Sequence, residues 1–229
     1  VIKVPNLFFG IKEDNNLIFD EHETVHIKTV RKKENDIIEC TDGKGYYYKV
    51  KITQIGKKKS FGEILESKYI ENNEKTFLSL FAPASRWERL RWLIEKSVEL
   101  GVDNIYITKT AFSNRDYKDK VEKINMVIRD SAKQCVRFHF PNVDFITFKN
   151  IKNYATKNTY FLDFNGQKLP ANISSDVSII VGPEGGFSKE ELDFLFSNFN
   201  AIRLGNKILR FETAAFVALS YFAIVLNKI

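Results

Sequence analysis

No apolar run in this chain approaches the roughly 20 residues that a membrane span requires. The longest candidate, Ala214–Leu226, is interrupted by Ser220 and reads as a buried helix. The stretch Val1–Gly10 lacks the charged-then-apolar layout of a secretory signal, so a cytoplasmic protein is expected, and Val in first place suggests that an initiator has been removed. Cysteine is scarce: Cys40 and Cys135 are the only two, far apart and outside any CxxC pair. Free, reduced thiols are the simplest reading, and a zinc site or disulfide framework has no sequence support. Histidine is equally scarce. His22 and His26 stand four apart on an expected helix, but with no third ligand in view no metal is expected.

What is present is an ordinary globular composition, 44% apolar and 28% charged over 229 residues, with 20 Phe to build a core. The formal net charge of +6 is mild, but it is concentrated. Between Lys28 and Lys59, ten Lys or Arg face four acids. Such a patch suits a polyanion, because attraction to phosphate is long-range and insensitive to sequence; a solvated face is the plain alternative.

The first seventy residues read as β-rich, with strands over Ile37–Cys40, Tyr46–Ile55 and Phe61–Tyr69 and turn chemistry at Asp42-Gly43-Lys44-Gly45. A helix over Glu21–Lys32 would turn Val25, Ile27 and Val30 inward. Several short strands with basic loops suggest a small barrel. The polar stretch Glu71–Glu74 marks a boundary, giving domains 1–72 and 73–229. Beyond it strands and helices alternate. Strands are expected at Thr76–Phe81, Asn104–Thr108, Val143–Phe148, Thr159–Leu162, Val177–Val181 and Ala201–Leu204. The intervening helices are Ser85–Leu100, with Trp87, Leu90, Ile94 and Val98 on one face, Asp119–Val136, one capped by Ser188, and Glu212–Leu226. This alternation implies an α/β fold with a mostly parallel sheet.

Two glycine-bearing loops carry the chemistry. Val181-Gly182-Pro183-Glu184-Gly185-Gly186-Phe187-Ser188 leaves an apolar strand and opens a helix. Its glycines remove Cβ atoms where a ligand or another backbone must come close. It matches neither GxGxxG nor GxxxxGK[ST], which argues against dinucleotide and nucleoside triphosphate sites. Leu204-Gly205-Asn206-Lys207-Ile208-Leu209-Arg210-Phe211-Glu212-Thr213-Ala214-Ala215 again joins a strand to a helix. Each loop alone is also a plausible structural turn, and Glu212 with Arg210 a structural ion pair. Placed at the carboxyl ends of strands in one sheet, the two would surround a single flat ligand.

The run VGPEGGFSKEE followed by LGNKILRFETAA resembles the RsmE family, bacterial uridine-N3 methyltransferases of small-subunit (16S) ribosomal RNA within the SPOUT superfamily. Arg86–Val102, Ser131–Arg137 and the stretch from His26 to Arg31 with Asp42-Gly43 resemble further segments of that family in the same order. The chain departs from it at Phe211, where the family commonly has Thr, and at Ala111-Phe112, where a Glu and an Arg are usual.

The resemblance implies a PUA-like β-barrel followed by a SPOUT-type, trefoil-knotted α/β domain, usually dimeric. It also implies S-adenosylmethionine held by Leu162, Val181, Gly182, Pro183, Glu184, Gly185, Gly186, Leu204, Gly205, Ile208, Leu209, Arg210, Thr213 and Ala214. Arg210 is expected to stabilise the uracil anion while Glu212 orients it or receives the proton. Arg31, Lys32, Lys33, Lys57, Lys58, Lys59 and Arg137 are expected to contact RNA phosphates, and ribosomal RNA or the small ribosomal subunit to be the partner. Methylation of another RNA or base position, and a non-catalytic RNA-binding assembly factor, are the alternative functions.

Overall fold

The structure, a computed structural model, describes residues 6–229; the part of the amino-terminal reading that concerns residues 1–5 lies outside it. The chain divides into two compact units. One holds the residues up to Asn73 together with Arg129–Phe140, the other Glu74–Ile128 and Pro141–Ile229.

The first unit is a curled six-stranded sheet. Its strands are β1 (Leu7–Phe9), β2 (Ile11–Glu13), β3 (Asn16–Phe19), β4 (Ile37–Thr41), β5 (Tyr46–Ile55) and β6 (Ser60–Tyr69), in the order β1-β4-β5-β6-β3-β2. All neighbours are antiparallel except β1 and β4. The long β5–β6 ladder breaks register at Lys49/Val50 and at Ile52/Gln54. Such bulges bend a strand and sharpen its twist, which curls the sheet around Phe8, Leu17, Phe19, Ile27, Ile38, Val50 and Ile52.

Helix α1 (Glu21–Thr29) starts at Asp20, whose carboxylate accepts the Glu23 amide at 2.9 Å. Ile27 is buried, as expected, and Val30 is partly buried against the core, but Val25 is 56% exposed. Residues two apart on a helix lie about 200° apart around its axis, so Val25 and Ile27 cannot both face inward.

The inward face instead carries Glu23, fully buried. Lys133 Nζ donates to its two oxygens at 3.0 and 2.8 Å, His26 Nδ1 lies 2.8 Å away, and Arg129 donates to Asp20 at 2.6 Å. A buried carboxylate requires such partners, and these draw Arg129–Phe140 into the first unit. Gly43 and Gly45, at φ +74° and +97°, serve this packing as well as the turn. A Cβ on either would collide with Phe140 or His139. Cys40 is buried and Cys135 exposed, and neither is in a disulfide.

The second unit is a six-stranded, wholly parallel sheet: β7 (Leu78–Pro83), β8 (Asn104–Lys109), β9 (Asn142–Thr147), β10 (Asn158–Gln167), β11 (Val177–Ile180) and β12 (Asn200–Ile202), in the order β12-β10-β11-β7-β8-β9. Helices α2 (Trp87–Glu99), α3 (Val121–Gln134, its last residues belonging to the first unit), α4 (Ile151–Tyr154) and α5 (Lys189–Asn198) lie between strands, and α6 (Phe211–Val225) follows β12. The central strands β7 and β11 are buried along their whole length, which explains why each is apolar but for one serine. Leu90, Ile94 and Val98 face the core from α2, with Trp87 half-buried. Ser188 caps α5 through a complete capping box with Glu191. Among the described residues no helix is long and apolar enough to cross a membrane.

Candidate active site

The chain order of the parallel sheet sets the site. From β7 it runs outward through β8 to β9, then returns on the other side, where β11 sits between β7 and β10. Ligands of open α/β sheets lie beyond the carboxyl ends of strands at such a reversal. Phe161 of β10 pairs with Ile180 of β11, and Leu162 with Ile202 of β12. β11 and β12 therefore end at nearly the same level on either side of β10, and the two glycine-bearing loops leave from them. After Leu162 the β10–β12 ladder loses register until Gln167, leaving Asp163 and Phe164 of β10 without a β12 partner.

These ends enclose a cavity of about 320 Å³. Of the residues expected around one ligand, Leu162, Gly182, Pro183, Gly186, Leu204, Gly205, Leu209 and Ala214 line it. The others do not. Val181 continues the sheet, its amide donating to the Phe81 carbonyl at 3.2 Å. Glu184 turns to Arg89, Gly185 lies against Phe112, and Thr213 is exposed. Ile208 is 87% exposed. The rest of the wall comes from Phe187, Lys207 and Phe211, which belong to the two expected loops but were not singled out, and from Asp163, Phe164, Leu192, Ile202 and Arg203, which sequence reasoning missed. Phe187 and Leu192 flank the Ser188 cap and were findable as its apolar neighbours. Asp163 and Phe164 depend on the broken ladder, which has no local signature.

Gly186 and Gly205 have a particular role. A Cβ built on either meets no atom within 4 Å, although both residues line the cavity. Side chains there would project into the space that the loops enclose. Gly186 also stands at φ +72°, a conformation that side-chain-bearing residues rarely adopt, and its amide donates to the Pro183 carbonyl at 2.9 Å.

The expected Arg210–Glu212 pair is corrected by the structure. Arg210 is the exposed, extended residue before α6 and makes no side-chain cap bond, whereas Glu212 lies buried in the first turn. Side chains two apart do not face one another at a helix start. Glu212 is instead paired with Arg89 of α2, Nη1 to Oε1 at 3.4 Å, and the same nitrogen lies 3.0 Å from Glu184 of the first loop. One guanidinium thus ties both loops together, 5.9 Å from the Phe211 ring. Glu212 Oε2 is buried with no hydrogen-bond partner among the described residues. Its place in the first turn of α6 suits a negative charge.

The basic runs of the first unit lie at neighbouring positions. Lys28 Nζ donates to the Gly56 carbonyl at 2.6 Å, and the Ile55 amide to Glu34 at 3.0 Å. These bonds join the segment containing Arg31, Lys32 and Lys33 to the β5–β6 turn carrying the exposed Lys57, Lys58 and Lys59. Arg137 is half-buried, and its Nε donates to the His139 carbonyl at 2.7 Å. His22 contacts Asp130 and His26 contacts Glu23. Among the described residues no three His, Cys, Asp or Glu are grouped to hold a metal ion.

Comparison with known proteins places this geometry. Residues 72–223 match the family described as the RNA methyltransferase domain, and residues 19–65 the RNA methyltransferase PUA domain. The chain is 30% identical over 224 residues to ribosomal RNA small subunit methyltransferase E of Mesomycoplasma hyopneumoniae, covering 93% of this chain and 96% of that protein. It is 39% identical to a predicted RNA methyltransferase of Thermotoga maritima whose crystal structure superposes with a TM-score of 0.85, over 98% of this chain and 100% of that one. A ribosomal RNA small subunit methyltransferase E from Neisseria gonorrhoeae, crystallised with S-adenosylmethionine, shares the fold at 23% identity and a TM-score of 0.83, covering 96% and 97% of the two chains.

Proposed function

This chain belongs to the RNA methyltransferase family, and on that premise we propose that it methylates N3 of a uridine in small-subunit ribosomal RNA, using S-adenosylmethionine. The observation that carries this reading is the convergence of two glycine-bearing loops on one cavity whose Gly186 and Gly205 leave open the space a Cβ would occupy. Its volume suits a small-molecule site. The apolar walls from Leu162, Phe187, Leu204 and Leu209 suit an adenine ring, and Asp163, Arg203 and Lys207 suit the charged amino-acid end. The residues present therefore fit the cofactor.

Bound there, S-adenosylmethionine supplies an electrophilic methyl group on a sulfonium, open to in-line attack by a nitrogen lone pair. The protein's part is mainly positioning. Uridine N3 carries a proton at neutral pH, so the site must stabilise the anion left when that proton departs. In this reading Arg210, exposed at the mouth of the second loop, stabilises the uracil oxygens. Glu212, with Oε2 uncommitted, orients the base or takes the proton, and Arg89 holds Glu212 in place.

The curled first unit serves as the PUA-like β-barrel of domain 1–72, with Arg31–Lys33, Lys57–Lys59 and Arg137 on RNA phosphates. Domain 73–229 carries the chemistry as a SPOUT-type trefoil knot. Two copies pair through the apolar α6, where Val217 and Ile224 stand exposed, and the enzyme works in the cytoplasm. Calorimetry with S-adenosylmethionine, joined to mapping of N3-methyluridine in ribosomal RNA from cells with and without the protein, tests the proposal. Binding together with loss of one methylated uridine supports it. Absence of binding makes the chain an RNA-binding assembly factor, and loss of a methyl group elsewhere makes it a methyltransferase of another position.

A further inference from the structure

A second constellation stands on the outer side of the first glycine loop. Thr110 and Ser113 close a tight turn, the Thr110 amide donating to the Ser113 carbonyl at 2.8 Å and the reverse bond measuring 3.3 Å. The Ala111 amide at its tip donates to Glu191 Oε1 at 2.8 Å, while Glu191 Oε2 accepts the Ser188 amide at 2.9 Å. One carboxylate thus fastens this turn to the cap of α5. Phe112 at the tip is 61% exposed, and its Cβ lies 3.1 Å from where a Cβ on Gly185 would stand. An aromatic ring is held in water on a fixed support, one residue from the cavity-lining Gly186.

Beside it lies a polar basin of about 400 Å³. Arg86, Arg115 and Lys120 give it positive charge, and Trp87 and Tyr117 give it flat walls. Of its two acids, Glu88 and Asp116, the latter is engaged by Lys109 at 2.7 Å. Arg86 and Arg115 make no ion pair among the described residues. The hydroxyls of Ser85, Thr110 and Ser113, each more than nine-tenths buried, lack hydrogen-bond partners among the described residues, and the parallel bridge between Ala84 and Asn114 lays the segment before α2 along the turn.

Free guanidinium groups interleaved with aromatic faces are the chemistry that grips single-stranded nucleic acid. We propose that the Thr110–Ser113 turn and the adjoining basin form a cradle for single-stranded RNA on the methyltransferase unit. Phe112 stacks on a base delivered beside the cofactor cavity, while Arg86, Arg115 and Lys120 hold the neighbouring phosphates. The proposal rests on the methyltransferase reading and adds to it where the substrate strand lies.

The test measures binding of a fluorescent, uridine-containing single-stranded RNA to the intact protein across a salt titration. Phe112→Leu, which keeps apolar bulk at Gly185 but removes the ring, should weaken binding by at least about five-fold, and Phe112→Trp should retain it. Arg86→Gln with Arg115→Gln should lower the magnitude of the logarithmic salt slope by about 1.4, roughly 0.7 for each lost phosphate contact. Affinity for S-adenosylmethionine, measured on the same samples, should stay the same. Wild-type affinity in Phe112→Leu, or an unchanged slope in the double variant, overturns the cradle. So does equal loss in Phe112→Leu and Phe112→Trp, which marks a disturbed turn. Failure of the unaltered protein to bind S-adenosylmethionine, with these RNA effects intact, sinks the methyltransferase reading and leaves the cradle standing.

Discussion

Replacing Arg89 by Gln should loosen both glycine loops at once. Its guanidinium stands between Glu184 of the first loop, at 3.0 Å, and Glu212 at the start of α6, at 3.4 Å. Removing it leaves the Glu212 carboxylate buried with neither oxygen paired, since Oε2 has no partner to begin with. Breaking a fully buried ion pair costs about 3–5 kcal/mol. The Arg89 side chain is 36% exposed, however, so screening brings its contact with the half-exposed Glu184 to about 1 kcal/mol or less. A total near 2 kcal/mol follows for Arg89→Gln, lowering the melting temperature by roughly 4–8 °C for a chain of this size. If the pair also holds the loops in their binding geometry, affinity for S-adenosylmethionine should fall by about five- to thirty-fold, the equivalent of 1–2 kcal/mol. The decisive sample is the double variant with Glu212→Gln. Without its charge, residue 212 no longer needs a cation, so the double should be more stable than the sum of the singles by about 1 kcal/mol or more. Thermal melts and calorimetry on the four proteins measure both quantities. Additive losses, or unchanged cofactor affinity in Arg89→Gln, would refute the assignment of Arg89 as the tie between the loops.

Gly205→Val should leave folding intact, since a Cβ there meets nothing within 4 Å, yet abolish or weaken cofactor binding more than ten-fold by filling the cavity; tight binding in that variant would place the ligand elsewhere. Changing Lys57, Lys58 and Lys59 together to Gln should weaken RNA binding and flatten its salt dependence by up to about two units of slope, while affinity for S-adenosylmethionine stays constant. Acid should weaken the tie between Asp20 and Arg129. Burial pushes the Asp20 carboxyl up, but the Arg129 hydrogen bond and the Glu23 amide hold it on balance below its ordinary 3.8. A carboxyl depressed by folding adds stability above its unfolded value and loses it as the pH falls through its folded one. Melting temperatures should therefore decline below about pH 4, and less steeply in Asp20→Asn; identical acid profiles for the two proteins would count against this contribution.

Local signals in the chain were strong where the physics is local. The alternation of Tyr46–Ile55 marks a strand that the structure keeps to the residue, because one face must reach a core while the other meets water. Ser188 announces a helix start, and it caps α5 as expected, within a capping box completed by Glu191. The run Val177–Val181, apolar except for Ser178, betrays a strand buried on both faces. Glycines at 182, 186 and 205 all line one cavity, and a Cβ on Gly186 or Gly205 would meet only open space.

Contacts between residues distant in the chain left no such mark. Nothing near Glu23 foretells that Lys133, 110 residues on, will neutralise it and carry Arg129–Phe140 into the first unit. Proximity in sequence suggests Arg210 as the partner of Glu212, but the turn into α6 sends those side chains apart and Arg89 fills the role from another helix. The same holds for Phe112, whose neighbour Ala111 is pinned by a carboxylate 80 positions away. Periodicity, capping and turn chemistry are properties of short segments and can be read along the chain. Which charges neutralise one another, and which loops share a cavity, depends on how the sheet orders its strands, and that order exists only once the long-range packing has formed.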